Sequence, residues 1–367
     1  MAKRVALVTG GGDCPGLNAV IRGAVKVGVD KYGWEVLGVE DAFNGLIDLD
    51  YASPHGNQWL TSHDVFAILQ RGGTILGTSN RADPFNHVVR DASGNTTTMD
   101  VSGQVMENFR KLELDGLISI GGDGSMRIAK KFVDRGMPLV GVPKTIDNDL
   151  GATDQTFGFD TAVQVATEAL DRLRDTAESH DRVMLCEVMG RDAGWIALHA
   201  GLAAGADAIL LPEIPYRLQP LVDMVAKRRR RGQAFGVVVV AEGAHPTDGE
   251  QSIIERKLGA MPRLKGAAAR LALELEDLIE PEVRVTVLGH VQRGGSPSSF
   301  DRVLGTRFGH HAAELVQRGD FGKMVALRGD DIVAVPIGEA IAEPKRVAPG
   351  GELVATARAL GVCLGDE

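Results

Sequence analysis

Cysteine is scarce. The 367-residue chain has 3, Cys14, Cys186 and Cys363, widely spaced and without a CxxC pair. That spacing excludes a disulfide framework and offers no zinc-ligand pattern, so the three are expected as reduced thiols. Long apolar runs are missing too. The longest, such as 235–241 and 203–211, fall well short of the ~20 residues that cross a bilayer. Met-Ala-Lys-Arg runs straight into Val5-Ala6-Leu7-Val8 and then glycines, too little apolar length for a secretory leader. A cytosolic chain with no membrane partner is the expectation. Nor is there an excess of positive charge: the formal net charge of −9 argues against general affinity for nucleic acid. The local exception, Lys227-Arg228-Arg229-Arg230-Arg231, reads first as the solvated end of a helix with cations on its negative dipole end. An anionic effector site is the second reading.

What is present is enough apolar sequence, 44%, for a substantial core, and a length that suggests two domains. Short Val/Ile/Leu runs end in glycine or a polar turn and give way to helical segments, the pattern of an α/β fold with buried parallel strands. Strands are expected at 4–9, 35–39, 117–120, 139–142, 183–188, 208–211, 236–241 and 284–288. Helices are expected at 17–30, 125–135, 159–176, 218–230 and 299–318. The chain is expected to cross between domains first at 151–158, and to end, from Ile337 on, in an irregular tail rich in Pro and Gly.

Five segments carry chemistry. Val8-Thr9-Gly10-Gly11-Gly12-Asp13-Cys14-Pro15-Gly16 runs from strand through glycines to helix, which lets backbone N–H groups approach a phosphate. It fits neither the dinucleotide fingerprint, having Pro15 where Gly is needed, nor a P-loop, having Leu17-Asn18 where Lys-Ser/Thr is needed. Ile120-Gly121-Gly122-Asp123-Gly124-Ser125 repeats the arrangement with a carboxylate at the turn, suited to Mg2+ held against phosphate oxygens or, alternatively, to a helix cap. Lys144-Thr145-Ile146-Asp147-Asn148-Asp149 puts two carboxylates, a hydroxyl and an ammonium on one loop. That is the inventory for accepting an alcohol proton during phosphoryl transfer, with Asx turns as the structural alternative. Glu187-Val188-Met189-Gly190-Arg191 delivers a guanidinium at a strand end, matched to charge on a moving phosphoryl group. Arg284, His290 and Arg293, at a strand end and in the loop after it, could grip a phosphomonoester that does not react.

In this order, GGGDCPGLN, GTSNRADPF, IGGDGS, PKTIDND, SHDR…EVMGR, VVAEG and VLGHVQRGGSP…DR resemble the phosphofructokinase family from about residue 4 to 320. The resemblance implies two Rossmann-like α/β/α domains with mostly parallel sheets and the active site between them. Residues 1–158 with about 292–342 would bind donor and Mg2+; 159–291 with 343–367 would bind fructose 6-phosphate. Asp147 would take the proton from the sugar 1-hydroxyl, with Thr145 beside it and Asp149 near the metal-phosphate centre. Asp123 would organise Mg2+. Gly11, Gly122, Gly124 and Ser125 would border the donor phosphates, Arg81 and Arg191 would stabilise the moving charge, and Phe43 would lie near the adenine. Fructose 6-phosphate would be held by Met189, Gly190, Glu242, His290 and Arg293. Arg182 and Arg284 would reach in from a neighbouring subunit, which implies a homodimer or homotetramer.

Two positions divide the family by donor. Gly124 resembles the ATP-dependent enzymes, because pyrophosphate users carry Asp there; Lys144 resembles the pyrophosphate type, where ATP enzymes have Gly. Absence of a block is required for ATP and an extra lysine is compatible with both donors, so ATP is the expected donor and pyrophosphate the alternative. Arg22, Arg174 and Asp207 fall where bacterial members place effector groups, Arg231 lies near another such position, and Lys26 departs from the usual arginine. NAD kinases and lipid kinases share the GGDG-type turn but lack the TIDND and HxQRGG strings. A non-catalytic sugar-phosphate sensor would be expected to have lost one of Asp123, Asp147 or Arg191.

Overall fold

A computed structural model describes residues 2–51, 56–90, 96–251, 253–255, 263–264 and 266–367. Its strands form two principal sheets. The larger has seven strands in the order Asp331–Pro336, Lys323–Arg328, Leu139–Pro143, Gly116–Gly121, Arg4–Gly10, Glu35–Val39, Gln58–Leu60. Its five inner strands pair in parallel, and both edges are antiparallel. The smaller sheet has four parallel strands, Val283–Val287, Val183–Val188, Gly236–Ala241 and Ala208–Leu210. Strands such as Val183–Val188 and Gly236–Ala241 are buried along their whole length, which is why they read as unbroken apolar runs rather than alternating ones.

Helices cover both sheets. Leu17–Lys26 packs against Ser299–Arg318, and glycine sets how closely: a Cβ at Gly309 would lie 2.2 Å from the Val20 carbonyl oxygen, and one at Gly23 2.7 Å from that of Thr306. The 21-residue helix Phe159–Ser179 takes the chain from the larger sheet to the smaller. It opens at Gly158, whose φ of +95° and contact with the Cys14 sulfur leave no room for a side chain. Ser299–Arg318 brings the chain back, and the last segment crosses once more.

Several expectations need correction. Leu17–Lys26 ends earlier than expected and widens into a π-helical turn over Val27–Lys31. The tail from Ile337 is not irregular: it holds helices Ile337–Ala340 and Glu352–Ala359, and Ile209 N donates to the Cys363 carbonyl oxygen at the edge of the smaller sheet. Its prolines punctuate short elements instead of abolishing them. The hairpin Lys323–Arg328/Asp331–Pro336 and the helices Ser102–Lys111, Trp195–Ala203 and Ala267–Glu276 were not anticipated. Trp195–Ala203 has apolar residues on all sides and is largely buried, so it offers no amphipathic period to read.

Candidate active site

The carboxyl ends of strands from both sheets open onto one cleft of about 1370 Å3, the place where open α/β sheets bind ligands. From the larger sheet come the turn after Gly10, the turn after Gly121 and the loop after Pro143. From the smaller sheet come Met189 and Arg191, Glu242, and the segment from Gly289 to Arg293.

The first turn is drawn tight by backbone bonds and by two basic side chains that cap its carbonyl groups. Gly11 has φ +80°; its N–H donates to the Ser79 carbonyl oxygen (3.1 Å), and its own carbonyl accepts from the Thr78 hydroxyl (2.6 Å). The Lys144 ammonium, almost wholly buried, donates to the Gly12 carbonyl oxygen, and Arg293 donates to that of Asp13 (3.0 Å). Arg293 stands so close that a Cβ at Gly12 would lie 2.9 Å from its guanidinium. Burial pulls the Lys144 pKa down from its ordinary value. In the second turn Ser125 tucks under Gly10 and Gly121, while a Cβ at Gly124 would meet nothing within 4 Å. Asp123 heads the helix Asp123–Asp134 and accepts from Arg127 one turn on (2.8 Å).

The loop after Pro143 is locked from within. Asp147 N–H donates to the Thr145 hydroxyl (3.0 Å), the Thr156 hydroxyl to the Thr145 carbonyl oxygen (2.8 Å), and Thr156 N–H to the Asn148 side chain (3.1 Å). These bonds hold Asn148 at φ +52°. The short turn here is a threonine turn at Thr145, not one of the Asx turns expected as the structural alternative, and the carboxylates of the loop each keep one oxygen out of these bonds. Asp147 is 4% exposed, and both it and Asp149 bury one carboxylate oxygen with no hydrogen-bond partner among the described residues. Burial raises the Asp147 pKa; Arg293, Arg191 and Lys144 oppose the rise. Asp149 is pushed up to about 7, by burial and then by the charge of Asp147.

Arg191 has φ +53°, an uncommon backbone for a residue with a side chain, and its N–H donates to Glu242 (3.0 Å). Burial raises Glu242 to about 7. Met189 N–H donates to Gln292 (2.9 Å), a wholly buried side chain that ties the Arg191 strand end to the Arg293 segment.

Gly11, Arg81, Gly122, Asp123, Gly124, Ser125, Lys144, Thr145, Asp147, Asp149, Met189, Arg191, Glu242, His290 and Arg293 thus meet in one cleft. Three expected residues are not on its lining. Gly190 is a backbone device: at φ +139°, a Cβ would lie 2.5 Å from the Ala193 carbonyl oxygen. Arg182 and Arg284 both pair with Glu282, outside the cleft. Phe43 touches the cleft but is 3% exposed, its ring 5.1 Å from that of Phe132, so it belongs mainly to the core. Arg127, Lys131 and Arg346 also line the cleft, outside the five segments that carry chemistry in the sequence. The i, i+4 spacing of Asp123, Arg127 and Lys131 on one helix face was a readable signal; Arg346 offered none.

The basic run ends helix Leu218–Arg230, as the solvated-helix reading expected, and is partly neutralised by the pairs Arg228–Asp207 and Arg229–Glu280. Of the effector-type residues, Arg174 donates to the Ala204 carbonyl oxygen (3.0 Å), Asp207 accepts from Val237 N–H (2.9 Å), and Lys26 pairs with Asp30 (3.0 Å). Arg22 buries its Nε without a hydrogen-bond partner among the described residues.

A family profile described as phosphofructokinase matches residues 4–316. The chain belongs to the phosphofructokinase family. It is similar to ATP-dependent 6-phosphofructokinase 2 of Clostridium perfringens, 49% identical over 99% of each chain. It is likewise similar to ATP-dependent 6-phosphofructokinase 2 of Streptomyces coelicolor, 52% identical over 94% of this chain and 96% of that one. Among solved structures, the Pichia pastoris phosphofructokinase in the T-state superposes with a TM-score of 0.77 at 30% identity, covering 98% of this chain and 39% of the yeast chain. No helix among the described residues is long and apolar enough to cross a membrane.

Proposed function

We propose that the chain is an ATP-dependent 6-phosphofructokinase, transferring the γ-phosphoryl group of ATP to the 1-hydroxyl of fructose 6-phosphate. The observation that carries this reading is Asp147: a buried carboxylate with an unpartnered oxygen, at the meeting of both strand-end sets, within the electrostatic reach of Arg191, Arg293 and Lys144. Such a carboxylate accepts the hydroxyl proton as the alcohol attacks. Arg191 and Arg81 balance the charge of the moving group, and the Gly11 turn holds it. Met189, Glu242, His290 and Arg293 hold the sugar phosphate, and the open space at Gly124 admits the α-phosphate of a nucleotide.

Mg2+ fits the residues present. It asks for only one or two carboxylates beside phosphate oxygens and water, and Asp123 with the unpartnered Asp149 oxygen supplies them. When bound, the ion neutralises donor oxygens; the proton transfer itself belongs to Asp147. Residues 1–158 with about 292–342 make the donor side, and 159–291 with 343–367 the sugar side. Arg182 and Arg284, paired with Glu282 outside their own cleft, complete a neighbour's 6-phosphate site in a homodimer or homotetramer. The same reading makes the enzyme cytosolic.

Incubating the purified protein with fructose 6-phosphate, Mg2+ and either ATP or pyrophosphate, and measuring fructose 1,6-bisphosphate, tests the proposal. Product with ATP supports it. Product with pyrophosphate alone would transfer donor choice to Lys144, and no product with either would refute the kinase reading.

A further inference from the structure

We infer that Arg346 is a donor-phosphate ligand, delivered to the cleft by a strap formed from the chain's last crossing. The inference rests on the kinase reading above but concerns a residue that no motif marks.

The strap is fastened on both sides of the cleft. On the larger-sheet side, Arg127 donates to the Ile341 carbonyl oxygen (3.2 Å) and Gly151 N–H to that of Ala340 (3.0 Å). Lys345 N–H then donates to the Asp149 carbonyl oxygen (2.8 Å), inside the loop that bears Asp147. Val347 N–H donates to the Glu213 carboxylate (2.8 Å), which also accepts from Gly194 N–H (3.0 Å), in the turn that follows Arg191. The residue between those two anchors therefore spans from the Asp147 loop to the Arg191 turn, the two segments that flank the transferring group.

Its neighbours are held too firmly to swing it away. The Trp195 indole donates to the Lys345 carbonyl oxygen (3.0 Å), and the Lys345 ammonium stands 5.4 Å from the centre of that ring. The Lys345 amine also donates to the Thr153 carbonyl oxygen (3.4 Å) and to that of Asp154, so it is spent on backbone. Arg346 differs. It is exposed on the cleft lining, and no hydrogen bond or ion pair of its guanidinium occurs among the described residues. A guanidinium flanked by backbone anchors, attracted by the Glu213 carboxylate but held by no hydrogen bond or ion pair among the described residues, and facing a site built for phosphate is chemically matched to phosphate oxygens, which it can bind in fork geometry. Although 343–367 is otherwise counted with the sugar side, Lys345 is bonded to Asp149 on the donor side, and this position of Arg346, beside Asp149 and the Arg191 turn, favours the donor over the sugar 6-phosphate, which belongs with His290 and Arg293.

The test uses the full-length protein and Arg346→Gln, with Arg346→Lys alongside and thermal unfolding to establish folding. Mg–ATP affinity is measured by calorimetry without sugar, and KM for ATP and for fructose 6-phosphate by steady-state assay. Arg346→Gln should weaken ATP roughly 10- to 100-fold in both measurements, the scale of a hydrogen bond to a charged group. KM for fructose 6-phosphate should change less than threefold, and Arg346→Lys should recover part of the loss. ATP affinity within twofold of wild type, or a loss confined to the sugar, would overturn the inference. If the wild type makes no product with any donor, the kinase reading fails separately, and calorimetry still decides whether Arg346 binds the polyphosphate.

Discussion

Glu242→Gln should make the protein more stable and a poorer enzyme, and the stability gain should depend on pH. Burial raises the Glu242 carboxyl from its ordinary 4.5 to about 7. Between those values the folded chain holds a proton that the unfolded chain has released. Stability therefore falls as pH rises from about 4.5 to about 7, and above that the full penalty is present. At 1.36 kcal/mol per pH unit the ceiling is about 3 kcal/mol, and the partial exposure of the side chain brings it to about 2 kcal/mol. Glutamine keeps an oxygen for the Arg191 N–H but carries no charge. With an unfolding entropy near 2.1 cal/mol/K per residue, about 2 kcal/mol corresponds to roughly 2–4 °C in a chain of 367 residues. Calorimetric scans of both proteins at pH 5 and pH 8 measure it. The variant should gain that much at pH 8 and only a small fraction of it at pH 5, while KM for fructose 6-phosphate rises. An equal offset at both pH values, or a loss at pH 8, would refute the desolvation argument.

Asp147→Ala should cut kcat by at least ~100-fold with the fold intact, because a positioned general base contributes on that scale; turnover near wild type would remove it from that role. Gly124→Asp should weaken ATP at least ~30-fold, since a carboxylate a few ångströms from a phosphate costs about 2–4 kcal/mol. The open space around Gly124 means this loss should appear without unfolding, which thermal scans check. Arg284→Ala should raise KM for fructose 6-phosphate about tenfold and leave KM for ATP unchanged. In mixed oligomers of Arg284→Ala and Asp147→Ala subunits, part of the activity should return to the wild-type KM for fructose 6-phosphate if Arg284 serves a neighbour, and all of it should keep the raised KM if it does not.

Much of the site was legible in the residues because its chemistry is local. Glycines at Gly10 to Gly12 and Gly121 to Gly124, the carboxylate spacing of Asp147 and Asp149, and an arginine one residue past Gly190 are each set by a turn at a strand end, and such turns need particular residue types. The buried strands were readable for the same reason, as were the amphipathic helices. Other features depend on what lies opposite in space. Trp195–Ala203 is buried on most sides and hides its helical period. Phe43, expected near the adenine, lines the cleft with its ring packed against Phe132, a contact that no local pattern announces. The last crossing reads as a loose tail because its order comes from partners 134 to 214 residues away, Arg127, Asp149, Trp195 and Glu213. Sequence alone determined which groups could handle phosphate and take a proton. The tertiary structure decided which of them meet, which carboxylates keep a buried oxygen without a hydrogen-bond partner among the described residues, and which arginine from the far end of the chain stands beside them. Burial and electrostatic coupling act through space, and sequence spacing carries no record of distances between segments that only folding brings together.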